Sequence, residues 1–409
     1  MVFIYNFAIR LYVFAIRCAA VFGNQKAMFW IEGRKNWRKR LGEKLKPGEQ
    51  RVWFHCSSLG EFEQGRPVME KIRMLHPQMK IVLTFFSPSG YEVRKNYEGA
   101  DYIFYLPADT GANASDFISL VNPQKVFFTK YEYWYHYFHQ LKKRQVPLYM
   151  VSAIFRPGDR FFKWYGGFFR KMLKCVVHFF VQDEQSKVLL KEIGFENSTV
   201  AGDTRCDRVV ALARHAKEIS VAENFSKGRT VLVAGSTWNA DEKILAEVMK
   251  SLPGKLCMII APHEISESRL TEVQNTFSAY QQIKFSEAEN KELNSFDVLI
   301  IDNIGMLSSL YRYGKFAYVG GGFSNGIHNT LEAAVYGVPV FFGTNFQKFN
   351  EAKDLMKCGG GYAVSSAEEL VVFLEKFIED EAVRNTSGAA ARHYVETNAG
   401  ATDKIVAMI

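Results

Sequence analysis

The chain has 409 residues, 48% of them apolar, and a formal net charge of +8. That length allows two full cores, and the composition argues for ordered domains throughout. Six cysteines at 18, 56, 175, 206, 257 and 358 lie far apart, with no Cys-x-x-Cys pair and no clustered histidines, which excludes a structural zinc site and fits reduced thiols on a cytosolic face.

The charge is concentrated at one end. The first fifty residues hold ten Lys and Arg against three Glu, so they carry seven of the eight net charges. They begin with MVFIYNFAIRLYVFAIRCAAVF, an apolar run broken by Asn6, Arg10 and Arg17. Those spacings of four and seven put the polar residues on one side of a helix whose other surfaces carry Phe, Ile, Leu, Tyr and Val. A span would hold Arg10 near mid-bilayer at a cost of about 3 kcal/mol. Residues 1–25 are therefore predicted as an interfacial amphipathic helix, with a tilted single span as the alternative. Trp30, Trp37 and the lysines and arginines at 34 to 46 are expected at anionic headgroups. The arginines interrupt what would be a signal peptide's apolar core. No recognition module accompanies the basic block, so a nucleic acid polymer is not an expected partner.

From Arg51 short apolar runs alternate with longer amphipathic ones. Strands are predicted at 51–56, 80–86, 102–106, 125–129, 147–151 and 176–181, then again at 230–235, 256–261, 298–301, 316–319 and 339–342. The polar stretch between the two sets reads as a linker. The predicted division is 26–217 for a first parallel α/β domain, 218–229 for the linker, 230–385 for a second domain, and 386–409 for a C-terminal helix that packs back on the first. Ligands of open parallel sheets sit beyond the carboxyl ends of the strands. Polar residues gather there: His55 to Glu61 (HCSSLGE), Ser87 to Gly90, Lys130 to Trp134, Ser236 to Asn239, and Pro262 to Glu264.

The segment Phe316 to Phe342 reads as a buried strand, three glycines, a polar turn, a helix opening near Asn325 or Gly326, Gly337 as its C-cap, and another buried strand. Backbone N–H groups of Gly320, Gly321 and Gly322 are expected at a phosphate, with the helix dipole behind them. Glu332 is expected one turn beyond His328 on the same helical face, where it accepts sugar hydroxyls. Asn325 stands where a dinucleotide fingerprint needs its third glycine, so the pattern fits a nucleotide-linked sugar rather than NAD.

Together these segments resemble the bacterial 3-deoxy-D-manno-octulosonic acid (Kdo) transferases of lipopolysaccharide inner-core synthesis, over about residues 30 to 385. The likeness is carried by HCSSLGE at 55–61, Glu132 to Trp134, Gly202 to Arg205 with Asp207, Gly235 to Thr237, Pro262-His263, Gly320-Gly321, His328-Asn329, LEAA at 331–334, and Gly343, Asn345 and Phe349. It implies an α/β fold of GT-B architecture, two Rossmann-like domains facing across a cleft, with acceptor on the first and CMP-Kdo on the second. It implies that Glu61 is the general base for a glucosamine hydroxyl of the lipid A precursor, held ionised by the helix N-terminus, with Gly60 allowing a sharp turn before it. Glu132, with Ser58 and Gly60, supports the acceptor side. Ser236, Thr237, His263, Gly320, Gly321, Gly322, Asn325, His328, Asn329 and Glu332 bind the donor. Catalysis is expected to invert the anomeric carbon without metal or cofactor, at the cytoplasmic face of the inner membrane, whose anionic surface is a partner. Three departures stand out: Ala261 before Pro262-His263 where many relatives carry Pro-Arg-His, Met306 where an acid is usual, and Ser152-Ala153-Ile154 in place of Asn-Ala-Arg. Arg156 and Arg205 are the candidate compensating charges. The rival readings are a sugar-nucleotide epimerase of similar fold and an inactive membrane-associated nucleotide-sugar-binding protein.

Overall fold

The computed structural model describes residues 1–409. Two compact units emerge, one formed by Met1–Asp207 with Gly400–Ile409 and the other by Arg208–Ala399. The first unit holds seven strands, β1 (Arg51–Cys56), β2 (Lys80–Phe85), β3 (Tyr102–Tyr105), β4 (Pro123–Thr129), β5 (Leu148–Ala153), β6 (His178–Val181) and β7 (Ser198–Val200). They pair in parallel in the order 3-2-1-4-5-6-7. Alternate residues supply the two faces. Trp53, Val126, Phe128 and Met150 pack with Phe117 and Tyr137 on one side, while Val52, Phe54, Leu83 and Phe127 pack with Phe62 on the other. Because both faces are buried, these strands read as continuous apolar runs.

The second unit repeats the design with β8 (Val231–Thr237), β9 (Cys257–Pro262), β10 (Gln282–Lys284), β11 (Val298–Ile300), β12 (Phe316–Val319), β13 (Val340–Gly343) and β14 (Gly361–Val364). Their order is 10-11-9-8-12-13-14. In each sheet the first strand lies between neighbours whose connections leave in opposite directions, which opens a crevice at the carboxyl ends of β1 and β4 and of β8 and β12.

Every strand expected from the sequence is present to within about three residues, and three more, β7, β10 and β14, went unread. These are three or four residues long, too short for a periodic signal. The linker at 218–229 is a correction. The boundary falls between Asp207 and Arg208, inside the helix Thr204–Arg214. The supposed linker contains a helix, Ser220–Ser226, that buries Ala222 and Phe225. A polar composition hid two apolar residues three apart, which is enough to fix a single helical face.

The C-terminal expectation divides. The helix Glu381–Thr397 belongs to the second unit, and only residues 400–409 join the first. There Ala401 and Ile405 are buried, Thr402 donates to Asp207 from both N and Oγ1 at 2.7 Å, and Lys71 pairs with Asp403 at 2.9 Å.

Helix α1 (Val2–Val21) lies on the first unit. Its inward side is tied down: Tyr5 donates to Asp109 at 2.5 Å, Asn6 meets His136 Nε2 at 2.6 Å, and Tyr12 packs on Phe86 and Trp30. Outward it exposes Phe3, Phe7, Leu11, Phe14 and Val21, with Arg10 and Arg17 also exposed. Trp30 and Trp37, expected at headgroups, are buried instead. Arg34 is also withdrawn. Its guanidinium sits 3.8 Å over the Trp30 ring and donates to the carbonyls of Trp30, Phe86 and Leu106. An indole beside an apolar sheet edge gains more from burial than from a headgroup.

Candidate active site

On the first unit the chain leaves β1 through Ser57 and turns at once into the helix Leu59–Leu75, with Ser58 at the N-cap. Glu61 is the third helical residue, and its carboxylate accepts from the Ser57 and Ser58 amides at 2.5 and 3.2 Å. Gly60 needs no special conformation there. It is helical, and a Cβ on it would meet nothing within 4 Å. The tight glycine is Gly65, one turn on, where a Cβ would come within 2.8 Å of Thr129 Oγ1 and 3.0 Å of Cys56 Sγ. That contact seats the helix on the sheet edge. Sequence reading missed it because a helical glycine carries no turn signal.

Glu61 is not simply an ionised cap. Burial, reinforced by the charge of Glu132, pushes its carboxyl up to about 8, against the lowering pull of the two amides and Lys130. Two backbone donors do not outweigh desolvation plus a like charge, which corrects the expectation that the helix terminus keeps it ionised. Glu132 follows β4, and its Oε2 lies 3.7 Å from His55 Nε2. Ser57 and Glu132 border a cavity of about 1010 Å3 whose other walls include Ile4, Tyr5 and Ile9 of α1 and the rings of Phe86, Trp134 and Phe168. The aromatic run at 161–169 divides between two roles: Phe161 and Phe168 are buried, while Trp164 is 93% exposed.

The two candidate compensating arginines differ. Arg205 is clasped to Asp203, with Nε and Nη2 on the carboxylate at 2.6–3.1 Å, and it holds that buried acid below its usual range despite the opposing push of burial. Its charge is thus already shared with an acid, which corrects the compensating role. Arg156 is exposed, its guanidinium 5.9 Å from the centre of the Tyr131 ring.

On the second unit β8 ends in a bulge at Ser236, whose φ of +55° is left-handed. Non-glycine residues hold this conformation at a cost, and they concentrate where a site demands it. Thr237 turns inward: its hydroxyl is buried and donates to Glu242 at 2.7 Å, and Glu242 in turn pairs with Arg269. The donor contact expected of Thr237 is therefore corrected.

The glycine turn differs from its expected form. Gly320 N donates to Gly235 O and Gly321 N to Asp241 Oδ2, both at 2.9 Å, so these amides are committed within the fold. The glycines serve close backbone approach. A Cβ on Gly320 would stand 2.3 Å from Ser236 O, and one on Gly322 would stand 2.5 Å from Gly343 Cα. The helix does not open near Asn325. It spans only Leu331–Ala334, and Gly326 (φ +117°) instead folds the loop back so that Gly326 N reaches Gly321 O and His328 N reaches Gly320 O. Glu332 is consequently not one helical turn from His328, and Gly337 lies beyond the C-cap residue Val335.

Two clusters result. In one, His263 and His328 stack with ring centres 4.4 Å apart, and Trp238 Nε1 donates to His328 Nε2 at 3.3 Å. Burial, then the neighbouring His263, pushes His328 down to about 4, and burial lowers His263 as well, so both rings are neutral at pH 7. In the other, Asn329 donates to Glu332 at 3.0 Å, and burial raises Glu332 against the pull of Asn329 and Arg208. Asn325 is exposed at the loop tip.

Asp241, Trp238 and Arg208 went unread as site residues. Asp241 was findable: it stands three residues after Trp238 at the start of the helix Asn239–Ser251, where a carboxylate caps, and it accepts from Trp238 N, Gly321 N and Tyr318 OH.

Two seven-stranded parallel sheets with polar side chains at their switch points define the α/β fold that GT-B glycosyltransferases share with sugar-nucleotide epimerases. Solved structures support the fold. The UDP-GlcNAc 2-epimerase from Neisseria meningitidis bound to UDP-GlcNAc aligns with TM-score 0.60 over 88% of this chain and 99% of that one at 16% identity. A glycosyltransferase from Rickettsia africae ESF-5 gives 0.59 over 88% and 98% at 12%. Residues 35–208 match the family model described as 3-deoxy-D-manno-octulosonic-acid transferase (kdotransferase). The chain is 27% identical over 345 residues to the 3-deoxy-D-manno-octulosonic acid transferase of Aquifex aeolicus (strain VF5), covering 82% of this chain and 88% of that protein. It is 24% identical over 392 residues to that of Haemophilus influenzae (strain ATCC 51907 / DSM 11121 / KW20 / Rd), covering 91% of each. Residues 35–208 thus carry a Kdo transferase domain, and over most of its length the chain is similar to Kdo transferases of several bacteria.

Proposed function

We propose that this enzyme transfers Kdo from CMP-Kdo to a glucosamine hydroxyl of an acylated lipid A precursor, inverting the anomeric carbon without a metal or other cofactor. The observation that carries this reading is Glu61, held by the Ser57 and Ser58 amides and raised by burial and by the charge of Glu132, a residue that itself borders an apolar cavity. An unactivated sugar alcohol needs a base at the moment of attack, and a base matched to working pH is the effective one. As the acceptor oxygen bonds to the anomeric carbon, its proton passes to the Glu61 carboxylate. The bond from that carbon to the CMP phosphate breaks, and its electron pair leaves with CMP.

On the donor side, Ser236, His263 and His328 surround the phosphate at the glycine turn, with the Gly322 amide and Asn325 at the same edge. Neutral imidazoles donate a hydrogen without competing for protons, which suits a leaving phosphate that gains charge. Asn329 and Glu332 take the ribose hydroxyls. On the acceptor side, the aromatic cavity suits an acyl chain, and Ser58 borders the carboxylate pair.

The outward face of α1 suits the cytoplasmic surface of an inner membrane. Its exposed rings enter the acyl boundary while Arg10 and Arg17 reach anionic headgroups. It is long and apolar enough to span, but the ties from Tyr5 and Asn6 favour a helix lying in the interface. The test is to incubate pure enzyme with CMP-Kdo and tetra-acylated precursor, following CMP release and product mass. Added mass of one or more Kdo residues supports the proposal. Release of CMP with no change in the acceptor would overturn it.

A further inference from the structure

His55 lies in β1, fully buried, with its ring centre 4.7 Å from that of Phe128. Its Nδ1 is 2.9 Å from Thr84 Oγ1, a hydroxyl that also accepts the Trp53 Nε1 hydrogen at 2.8 Å. An indole N–H is a donor only, so the direction of that bond is fixed. The Thr84 hydroxyl then has its own hydrogen to give, and Nδ1 is nearer than the Phe54 carbonyl, which lies at 3.3 Å. Receiving it leaves Nδ1 bare and puts the imidazole hydrogen on Nε2.

The far edge of the ring agrees. Nε2 and Glu132 Oε2 face each other at 3.7 Å, and each is buried without a hydrogen-bond partner. Two buried acceptors in that position would repel and forfeit a bond each. With a hydrogen between them, the same geometry becomes a charge-assisted contact after a shift of under about 1 Å.

We propose that His55 is a positioning residue, donating its Nε2 hydrogen to Glu132 so that this carboxylate is held in place beside Glu61. The inference rests on the proposed acceptor-side role of the two carboxylates. Trp53 and Thr84 fix the tautomer, His55 orients Glu132, and the Glu132 charge adds to the burial that raises Glu61. The other ionisable groups within reach of the two carboxylates are Lys130, Cys56, Tyr5, Tyr12 and Tyr133. None of them replaces a donor at Glu132 Oε2.

Nitrogen-15 NMR of histidine-labelled native protein reads the tautomer directly. The expected result at pH 7 is a protonated Nε2 and a bare Nδ1, and the reverse would overturn the proposal. Two variants separate the two edges of the ring. His55→Asn keeps a polar atom near Nδ1 and loses the contact to Glu132, whereas His55→Gln keeps a donor near Nε2. Carbon-13 carboxyl titration should show the upper ionisation of the Glu61–Glu132 pair falling by about one pH unit in His55→Asn, as Glu132 leaves its place beside Glu61, and staying near the native value in His55→Gln. Equal shifts in both, or none in either, would sink the assignment. If His55→Asn fails to fold, the native measurement decides alone. Neither readout uses CMP-Kdo, so failure of Kdo transfer would count against the proposed function and leave this result intact.

Discussion

Replacing Glu61 with Gln should make the protein more stable at alkaline pH. The wild-type carboxyl is raised from 4.5 to about 8 in the folded state. A raised carboxylic acid contributes fully below its unfolded value, and that contribution is lost as pH climbs through its folded value, because folding must then bury a charge. The gap of about 3.5 pH units corresponds to about 5 kcal/mol lost between pH 4.5 and 8. Glutamine keeps an acceptor for the Ser57 and Ser58 amides and mimics the neutral carboxyl that the wild type carries at low pH. The net expectation is that Glu61→Gln is about as stable as wild type at pH 5 and about 4 kcal/mol more stable at pH 9. Urea unfolding of both proteins across that range measures the difference. A difference independent of pH would mean that Glu61 titrates like an exposed carboxylate, and would refute the reasoning.

Glu132→Gln should move the rising limb of the transfer pH profile down by about one unit or more, since the Glu132 charge is the second cause of the raised Glu61 carboxyl; an unmoved limb would place the cause in burial alone. Replacing Phe3, Phe7 and Phe14 together with Ser leaves the fold untouched, because all three are exposed. It should weaken partition onto anionic liposomes by about 100-fold or more, at about 1–2 kcal/mol for each ring lost, and equal partition would exclude α1 as the membrane contact. Gly320→Ala puts a methyl 2.3 Å from Ser236 O. It should destabilise the second unit by about 1–3 kcal/mol, seen as a lowered unfolding midpoint, and wild-type stability would show that the turn tolerates a side chain.

Much of this architecture was legible because parallel strands buried on both faces announce themselves as apolar runs, and site residues follow from their ends. Glu132 and His263 lie just after β4 and β9, Glu61 lies in the first turn of the helix that follows β1, and Glu332 lies in the short helix Leu331–Ala334. What escaped depends on three-dimensional packing. Nothing in the local sequence tells that Thr237 turns inward to Glu242, that Gly320 and Gly321 spend their amides on Gly235 and Asp241, or that Arg205 is clasped to Asp203. The helix expected after the glycine turn failed for a related reason: Gly326 at φ +117° reverses the loop, and helical periodicity is blind to that conformation. The amphipathic pattern of α1 was read correctly as helix, but which side meets the protein was settled by Tyr5 and Asn6 finding Asp109 and His136, more than a hundred residues away.

The account stands on proton removal by Glu61. Rapid-quench single-turnover transfer, with saturating CMP-Kdo and lipid A precursor, compares wild type with Glu61→Gln while donor binding is followed in parallel. The prediction is donor affinity within about threefold of wild type and transfer slowed by about 100-fold or more. Transfer by Glu61→Gln at the wild-type rate would contradict it.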